Sequence, residues 1–130
     1  MSPLFTALSA AYIFMIFYGA DSSTASAIGD FNPFSVLHVP LYGLLTVLLL
    51  LAFASRGEKN PKIRYGLAAL TAVVVGILDE YNQSFIPTRE ASMGDILLDT
   101  FGVLVVLLAA FRFPLSLWTR SLRKFKTWLS

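Results

Sequence analysis

The sequence predicts an all-α integral membrane protein, a bundle of four membrane-spanning helices with a basic amphipathic helix in its C-terminal segment. Of the 130 residues, 56% are hydrophobic and 14% are charged, whereas about a quarter of residues are charged in typical soluble domains. A soluble domain of this size could not bury so much apolar surface. Four apolar runs, each about long enough to cross a bilayer as a helix, are separated by short polar stretches.

Composition also excludes several functional classes. The chain has no cysteine and one histidine, which excludes a disulfide framework, thiol catalysis, cysteine-ligated zinc and multi-histidine metal motifs. The sequence contains no nucleic-acid-binding motif. Its carboxylates could hold Ca²⁺ or Mg²⁺, but nothing resembles a standard metal loop, so the sequence predicts no metal and no cofactor.

The four apolar runs define one transmembrane domain, predicted to cover residues 1–113. The first run could instead be a cleaved signal peptide, because Ala25-Ser26-Ala27 resembles a cleavage site, but the basic n-region of such a peptide is missing. Pro40 predicts either a kink in the second helix or a later start of that helix. The predicted spans are Pro3–Ala20, Phe34–Ser55, Tyr65–Tyr81 and Met93–Phe113.

Residues 114–130 are predicted to form a separate helix on the cytoplasmic membrane surface. A basic amphipathic helix with interfacial aromatic residues is typical of binding to the anionic lipids of the inner leaflet. Packing against a partner helix is the alternative. The apolar residues recur at steps of three and four, which places them on one face: Leu115, Trp118, Leu122, Phe125 and Leu129. The basic residues lie largely off that face: Arg120, Arg123, Lys124 and Lys126.

The distribution of charge predicts the orientation in the membrane. Four spans place both termini on the same side as the turn Arg56–Arg64, and nine of the ten basic residues fall on that side. Arg89 is the exception, while Glu58 is the only acid of the eight on the basic side. The positive-inside rule therefore predicts cytoplasmic termini and an extracytoplasmic polar stretch.

The most polar stretch lies between the third and fourth runs, from Leu78 to Asp99. Asp79 and Gln83 are four positions apart and share a face if the third helix extends that far. A second set, spaced three, four and three positions apart, shares one face of the fourth helix: Ser92, Asp95, Asp99 and Gly102.

His38 and Tyr42 share a face near the outer end of the second helix. Asp99 lies about two turns inside the fourth span, where an ionised side chain is costly and normally faces a bundle interior or a water-filled cavity. Histidine beside carboxylates can exchange protons, and an arginine such as Arg89 can hold a phosphate. The sequence therefore predicts a polar site at one membrane face.

Each of these residues also has a structural interpretation. Ser92–Asp95 fits a capping box at the start of the fourth helix. Asp79 and Arg89 could form an ion pair that holds the loop. A lone histidine such as His38 is often a hydrogen-bonded structural residue.

The same residues resemble the signature of the VanZ-like family, a group of small bacterial membrane proteins named for a teicoplanin resistance protein. The match covers roughly residues 34–110, and His38, Tyr42 and the following leucine run resemble the earlier motif. Asp99 stands where many members have Asn, and the Asp-Lys pair that often precedes the family's histidine is missing. The later motif reads Asp79-Glu80-x-x-Gln83-x-x-x-Pro87-x-Arg89-x-x-Ser92-x-x-Asp95-x-x-x-Asp99-x-x-Gly102.

The resemblance implies a bacterial inner-membrane protein whose outward-facing site binds or modifies a lipid-linked envelope component, with lowered glycopeptide susceptibility as the outcome. It implies no settled reaction, so catalysis stays open. In an enzyme, His38 and Asp79 would form the acid–base pair and Arg89 would hold an anionic headgroup. Six further residues would bind or orient the substrate: Tyr42, Glu80, Gln83, Ser92, Asp95 and Asp99.

Two other functions remain open. The protein could be a non-catalytic membrane factor that shields a lipid precursor or scaffolds envelope enzymes. It could also be a small proton-coupled transporter. The transporter is less favoured, because no acid or histidine lies in the cytoplasmic halves of the spans. Small residues such as Ala68, Ala72 and Gly76 permit close helix contacts but leave the oligomeric state open.

Overall fold

The computed structural model describes residues 3–20, 34–87 and 92–113. Within these ranges the chain forms helices and no strands, which confirms the predicted all-α bundle. The predicted surface helix at residues 114–130 lies outside the described residues and stays a prediction. The elements are α1 (Leu4–Ala20), α2 (Phe34–Ser55), α3 (Pro61–Gln83) and α4 (Met93–Arg112).

Three of these helices, α2, α3 and α4, are long and apolar enough to cross a membrane. α1 has 17 residues and therefore measures about 26 Å, somewhat less than the ~30 Å thickness of a hydrocarbon core. Large apolar side chains cover the outside of the bundle, as Phe14, Leu108 and Phe111 show with 72%, 68% and 76% exposure. Such a surface suits lipid, so the chain is a membrane protein.

α3 begins at Pro61, four residues before the predicted start. Asn60 caps this helix, because its side-chain oxygen accepts a hydrogen bond from the Lys62 amide at 3.0 Å. Pro61 occupies a first-turn position, where its missing N–H costs nothing. The basic residues Lys62 and Arg64 therefore belong to the first turn of α3, although their charge had suggested a turn.

α2 contacts all three of the other helices and makes its largest interface with α4. Its inward face supplies the buried side chains Tyr42, Leu45 and Leu50. The helix continues through Pro40, so this proline does not mark a later helix start. Tyrosine hydroxyls also join neighbouring helices, because Tyr12 donates to the Leu41 carbonyl at 3.1 Å.

The tight contact between α2 and α4 depends on Gly102. A Cβ atom at this position would lie 2.3 Å from the carbonyl oxygen of Val39 and 3.1 Å from its Cα. Both are backbone atoms of a helix and cannot move separately. Only a residue without a side chain therefore allows this separation of the two helices.

We expect Gly102→Ala to lower the free energy of unfolding by about 1–3 kcal/mol, the usual cost of overpacking. Gly66→Ala is the matched control, because Gly66 lies in α3 with open space around it. Alanine there should stabilise the helix by up to about 1 kcal/mol. Titration of both variants with denaturing detergent, followed by far-ultraviolet circular dichroism, measures the difference. Equal stability of the two variants would contradict the close contact.

Candidate functional site

The buried ionisable side chains of the described residues gather at one end of the bundle. This end comprises the first turns of α2, the last turns of α3 and the first turns of α4. Adjacent helices run in opposite directions, which brings these three ends together. We call the group the polar cluster; its members are each at most 9% exposed: His38, Tyr42, Asp79, Glu80, Gln83, Asp95 and Asp99.

A short hydrogen bond in the polar cluster joins α2 to α4. His38 Nδ1 lies 2.7 Å from Asp99 Oδ1. When Asp99 is ionised and the imidazole is neutral, Nδ1 carries the proton and donates it, which leaves Nε2 with a free lone pair. The imidazole also stacks parallel to the Tyr42 ring, with ring centroids 6.2 Å apart. The ring is therefore held in a defined orientation.

Gly76 of α3 makes room for this pair. A Cβ atom at Gly76 would lie 2.8 Å from Asp99 Oδ2 and 3.4 Å from a ring carbon of Tyr42. Asp99 lies six residues after the start of α4, about 9 Å along the helix axis, so its carboxylate depends on neighbouring helices for polar contacts. Gly76 had been noted only as a small residue at a helix contact. Its four-residue spacing from Ala72 and Glu80 is the signal in the sequence from which its place on the face of the site could have been predicted.

The two carboxylates of α3 have different partners. Asp79 Oδ2 accepts hydrogen bonds from Gln83 Nε2 at 3.0 Å and from the Tyr42 hydroxyl at 3.5 Å. The predicted shared face of Asp79 and Gln83 is thus present, because α3 continues to Gln83. Glu80 Oε2 instead accepts the backbone N–H of Ser92 at 2.8 Å, which connects α3 to the start of α4.

The predicted capping box at Ser92–Asp95 forms only in part. The Ser92 hydroxyl accepts the Gly94 amide at 3.1 Å, as an N-cap should. The reciprocal bond to the Ser92 amide comes from Glu80 rather than from Asp95. Asp95 is 7% exposed and belongs to the buried face of α4. Its burial therefore has a cause other than capping.

Three side chains of the polar cluster lie close enough together to converge on one metal ion. One ring nitrogen of His38 and one carboxylate oxygen each of Glu80 and Asp95 lie within 4.8 Å of one another. Glu80 Oε1 and Asp99 Oδ2 accept no hydrogen bond within the described part of the chain. The sequence predicts no metal site, because no standard metal loop is present. The convergence of these three side chains depends on the packing of three helices, which a local motif does not show.

A shallow aromatic groove lies at the same end of the bundle. It has a volume of about 380 Å³ and lies between the C-terminal parts of α1 and α3. Aromatic rings with polar neighbours at helix ends are typical of the membrane–water boundary. The lining residues are Phe14, Phe17, Tyr18, Asn82, Phe85 and Ile86.

The structure brings together all but two of the predicted site residues. Arg89, the predicted anion-holding residue, lies outside the described residues, so its pairing with Asp79 stays a prediction. Ser92 is half-buried at the edge of the cluster. His38 hydrogen-bonds to Asp99, whereas it was expected to work with Asp79. The catalytic and binding roles of all these residues stay predictions.

A family model described as VanZ/LLP1 matches residues 20–115. The matched range includes α2, α3, α4 and the whole polar cluster. No match to the chain was found among curated proteins or solved structures. The resemblance drawn from the sequence motif is therefore confirmed at the level of the family.

We expect Glu80→Ala to accelerate amide hydrogen exchange at Ser92 by roughly 10–100-fold. The lost bond has a charged acceptor, and such bonds contribute about 1.5–3 kcal/mol. Glu80→Gln should keep the protection, because its amide oxygen can accept the same N–H.

Glu58→Ala is the control for this measurement. Glu58 also accepts a backbone amide, that of Asn60 at 2.8 Å, but at the opposite end of the bundle. Its loss should leave exchange at Ser92 unchanged. Unaltered Ser92 exchange in Glu80→Ala would show that Glu80 does not hold the start of α4.

Proposed function

The chain belongs to the VanZ/LLP1 family, and from this membership and the polar cluster we propose that it binds or modifies a lipid-linked envelope component. The proposed site is the polar cluster, at the extracytoplasmic face of a bacterial inner membrane. The proposed outcome for the cell is lowered susceptibility to glycopeptides such as teicoplanin.

The observation that carries the proposal is the burial of several ionisable groups within a membrane bundle. Asp79, Glu80 and Asp99 are each at most 4% exposed. Charged groups at membrane depth are expensive and usually mark a binding or transfer site. Apolar residues of similar size would hold the three helices together with a lower free-energy cost of burial. A purely structural account leaves the number of acids unexplained.

Charge supports an outward-facing site. Arg56 and Lys59, in the turn between α2 and α3, lie at the end of the bundle opposite the polar cluster. Lys62, Arg64 and Arg112 lie at the same end, in the first turn of α3 and the last turn of α4. By the positive-inside rule this basic end is cytoplasmic. The polar cluster then lies toward the outer leaflet, where lipid-linked precursors of the cell wall are used.

The side chains of the cluster suit a headgroup rich in hydroxyl, amide or ammonium donors. Carboxylates such as Asp95 and Glu80 accept hydrogen bonds and repel bare phosphate. Arg89, expected just beyond the end of α3, would supply the contact to a phosphate. Lipid-linked peptidoglycan precursors and phospholipids both combine a phosphate with such donors.

If the protein modifies its ligand, His38 is the proposed proton carrier. Asp99 orients the ring through Nδ1, and Nε2 is left to exchange a proton with the bound headgroup. Asp79, held by Gln83 and Tyr42, would be the second carboxylate of the site. This assignment keeps the predicted residues and adds Asp99 as the group that orients His38.

A non-catalytic shielding or scaffolding role is the second candidate. It is favoured by the bond from Glu80 to the Ser92 amide, because this contact stabilises the bundle without requiring a ligand. In that role the polar cluster would present a rigid surface to an envelope lipid or an envelope enzyme.

The absence of native cysteine allows a direct test of orientation. Ser84 lies just after α3 at the polar end, and Lys59 lies in the basic turn; both are exposed. We expect Ser84→Cys to react with a membrane-impermeant maleimide in intact cells. Lys59→Cys should react only after the inner membrane is permeabilised. The reverse pattern would place the polar cluster in the cytoplasm.

We expect expression of the wild type to raise the minimum inhibitory concentration of teicoplanin in a sensitive bacterium. His38→Gln, Asp99→Asn and Arg89→Lys, at matched membrane levels, should abolish the increase. Loss of an acid–base group should slow lipid turnover by about 10²–10⁴-fold, measured by mass spectrometry of extracted envelope lipids. Glu58→Gln, at the opposite end, is the control and should retain full tolerance.

The shielding role would be favoured if the wild type raised teicoplanin tolerance without producing a new lipid species in the mass spectrum, and if all three variants kept this tolerance. Unchanged tolerance with wild-type protein would remove the link to glycopeptides.

A further inference from the structure

Two acids of the polar cluster, Glu80 and Asp95, have no basic partner in the described part of the chain. The salt bridge within the described residues joins His38 to Asp99, and no Lys or Arg pairs with Glu80 or Asp95 there. Uncompensated carboxylates at membrane depth are strongly unfavourable. A bound cation offsets such charge without an additional basic side chain.

We propose that His38, Glu80 and Asp95 form a binding site for a divalent transition-metal ion of the zinc type, with Asp99 as the positioning residue for His38. The site stands on its own geometry and does not depend on the proposed envelope function.

The distances fit a small ion after a modest contraction. The three ligand atoms lie within 4.8 Å of one another. Ligand atoms about 2.1 Å from a tetrahedral ion lie roughly 3.4 Å apart, so each pair closes by about 1.4 Å at most. Rotation of the Glu80 and Asp95 side chains can supply this movement. His38 is held by Asp99 and stays in place.

The hydrogen bonds leave ligand atoms available. Glu80 Oε2 is used by the Ser92 amide, whereas Glu80 Oε1 has no partner among the described residues although the side chain is only 4% exposed. His38 gives Nδ1 to Asp99 and keeps Nε2. A buried carboxylate oxygen without a partner, in a side chain that already lies near an imidazole nitrogen, is an independent sign of a missing ligand.

Asp99 contacts His38 in the way that a carboxylate contacts a metal-bound histidine. Such a histidine almost always donates its other N–H to a carboxylate, a backbone carbonyl or water, which fixes the ring and increases its basicity. The contact of 2.7 Å between His38 Nδ1 and Asp99 Oδ1 has this form. Gly76 provides the space in which Asp99 makes it.

The ligand set indicates the kind of ion. Mg²⁺ and Ca²⁺ prefer oxygen ligands, with six or more of them for Ca²⁺. One imidazole with two carboxylates suits Zn²⁺ and related transition metals, and three protein ligands leave a fourth position open. A metal-bound His38 cannot also carry protons through Nε2. The metal site and the proton-carrier role are therefore alternatives at this residue.

The test uses the full chain in detergent micelles, purified through a tag without histidine and stripped with a chelator. Isothermal titration with Zn²⁺ should show saturable binding of one ion per chain that excess Mg²⁺ does not displace. His38→Gln and Glu80→Gln should each weaken binding at least tenfold, and Asp99→Asn by about 10–100-fold. Glu58→Gln should bind as the wild type does.

The chain contains one histidine, so the nitrogen spectrum of labelled imidazole reports on His38 alone. Zn²⁺ should shift the Nε2 resonance while Nδ1 stays protonated. Ser92 amide protection in Glu80→Gln verifies that this variant keeps its fold. The proposed site would be overturned by a lack of saturable binding, by an unshifted Nε2 resonance, or by wild-type affinity in His38→Gln or in Glu80→Gln.

Discussion

The cost of placing carboxylates inside a membrane bundle determines much of this structure. Each buried acid needs a donor, a cation or a proton, because lipid offers none. His38 of α2 bonds to one oxygen of Asp99, Gln83 donates to Asp79 within α3, and the Ser92 amide at the start of α4 donates to one oxygen of Glu80. The three helices must therefore keep one relative position, since a small shift would break these contacts.

Close packing is the condition that makes these contacts possible. Gly102 brings the α4 backbone against Val39 of α2, and Gly76 opens the face of α3 to Asp99. Larger residues at either position would separate the helices and leave His38 and Asp99 out of contact. The glycines thus act on the site indirectly, because they set the distance between helices. They lie on the same helix faces as the acids.

The sequence was sufficient to predict the helices and a shared polar face on each of α2, α3 and α4, because helical periodicity is a local property. It placed Asp79 with Gln83, and Asp95 with Asp99, correctly. It did not predict that His38 would bond to Asp99, or that Glu80 would cap Ser92. Those contacts depend on how far each helix is rotated about its axis and shifted along it relative to its neighbours. Side-chain packing determines both. The early start of α3 was missed for a different reason: basic residues at a membrane boundary are typical of a turn between two spans.

The geometry of His38 and Asp99 is consistent with two chemistries that exclude one another. With Nε2 free, the pair can pass a proton to a bound headgroup; with Nε2 on a cation, the ring becomes a fixed ligand. The unpartnered Glu80 oxygen is in keeping with the second state, because a bound cation would give this buried acceptor a partner. A cation would also relieve the repulsion between Glu80 and Asp95, which an acid–base mechanism leaves in place. The fourth position on such an ion would then be the point at which a lipid headgroup meets the polar cluster.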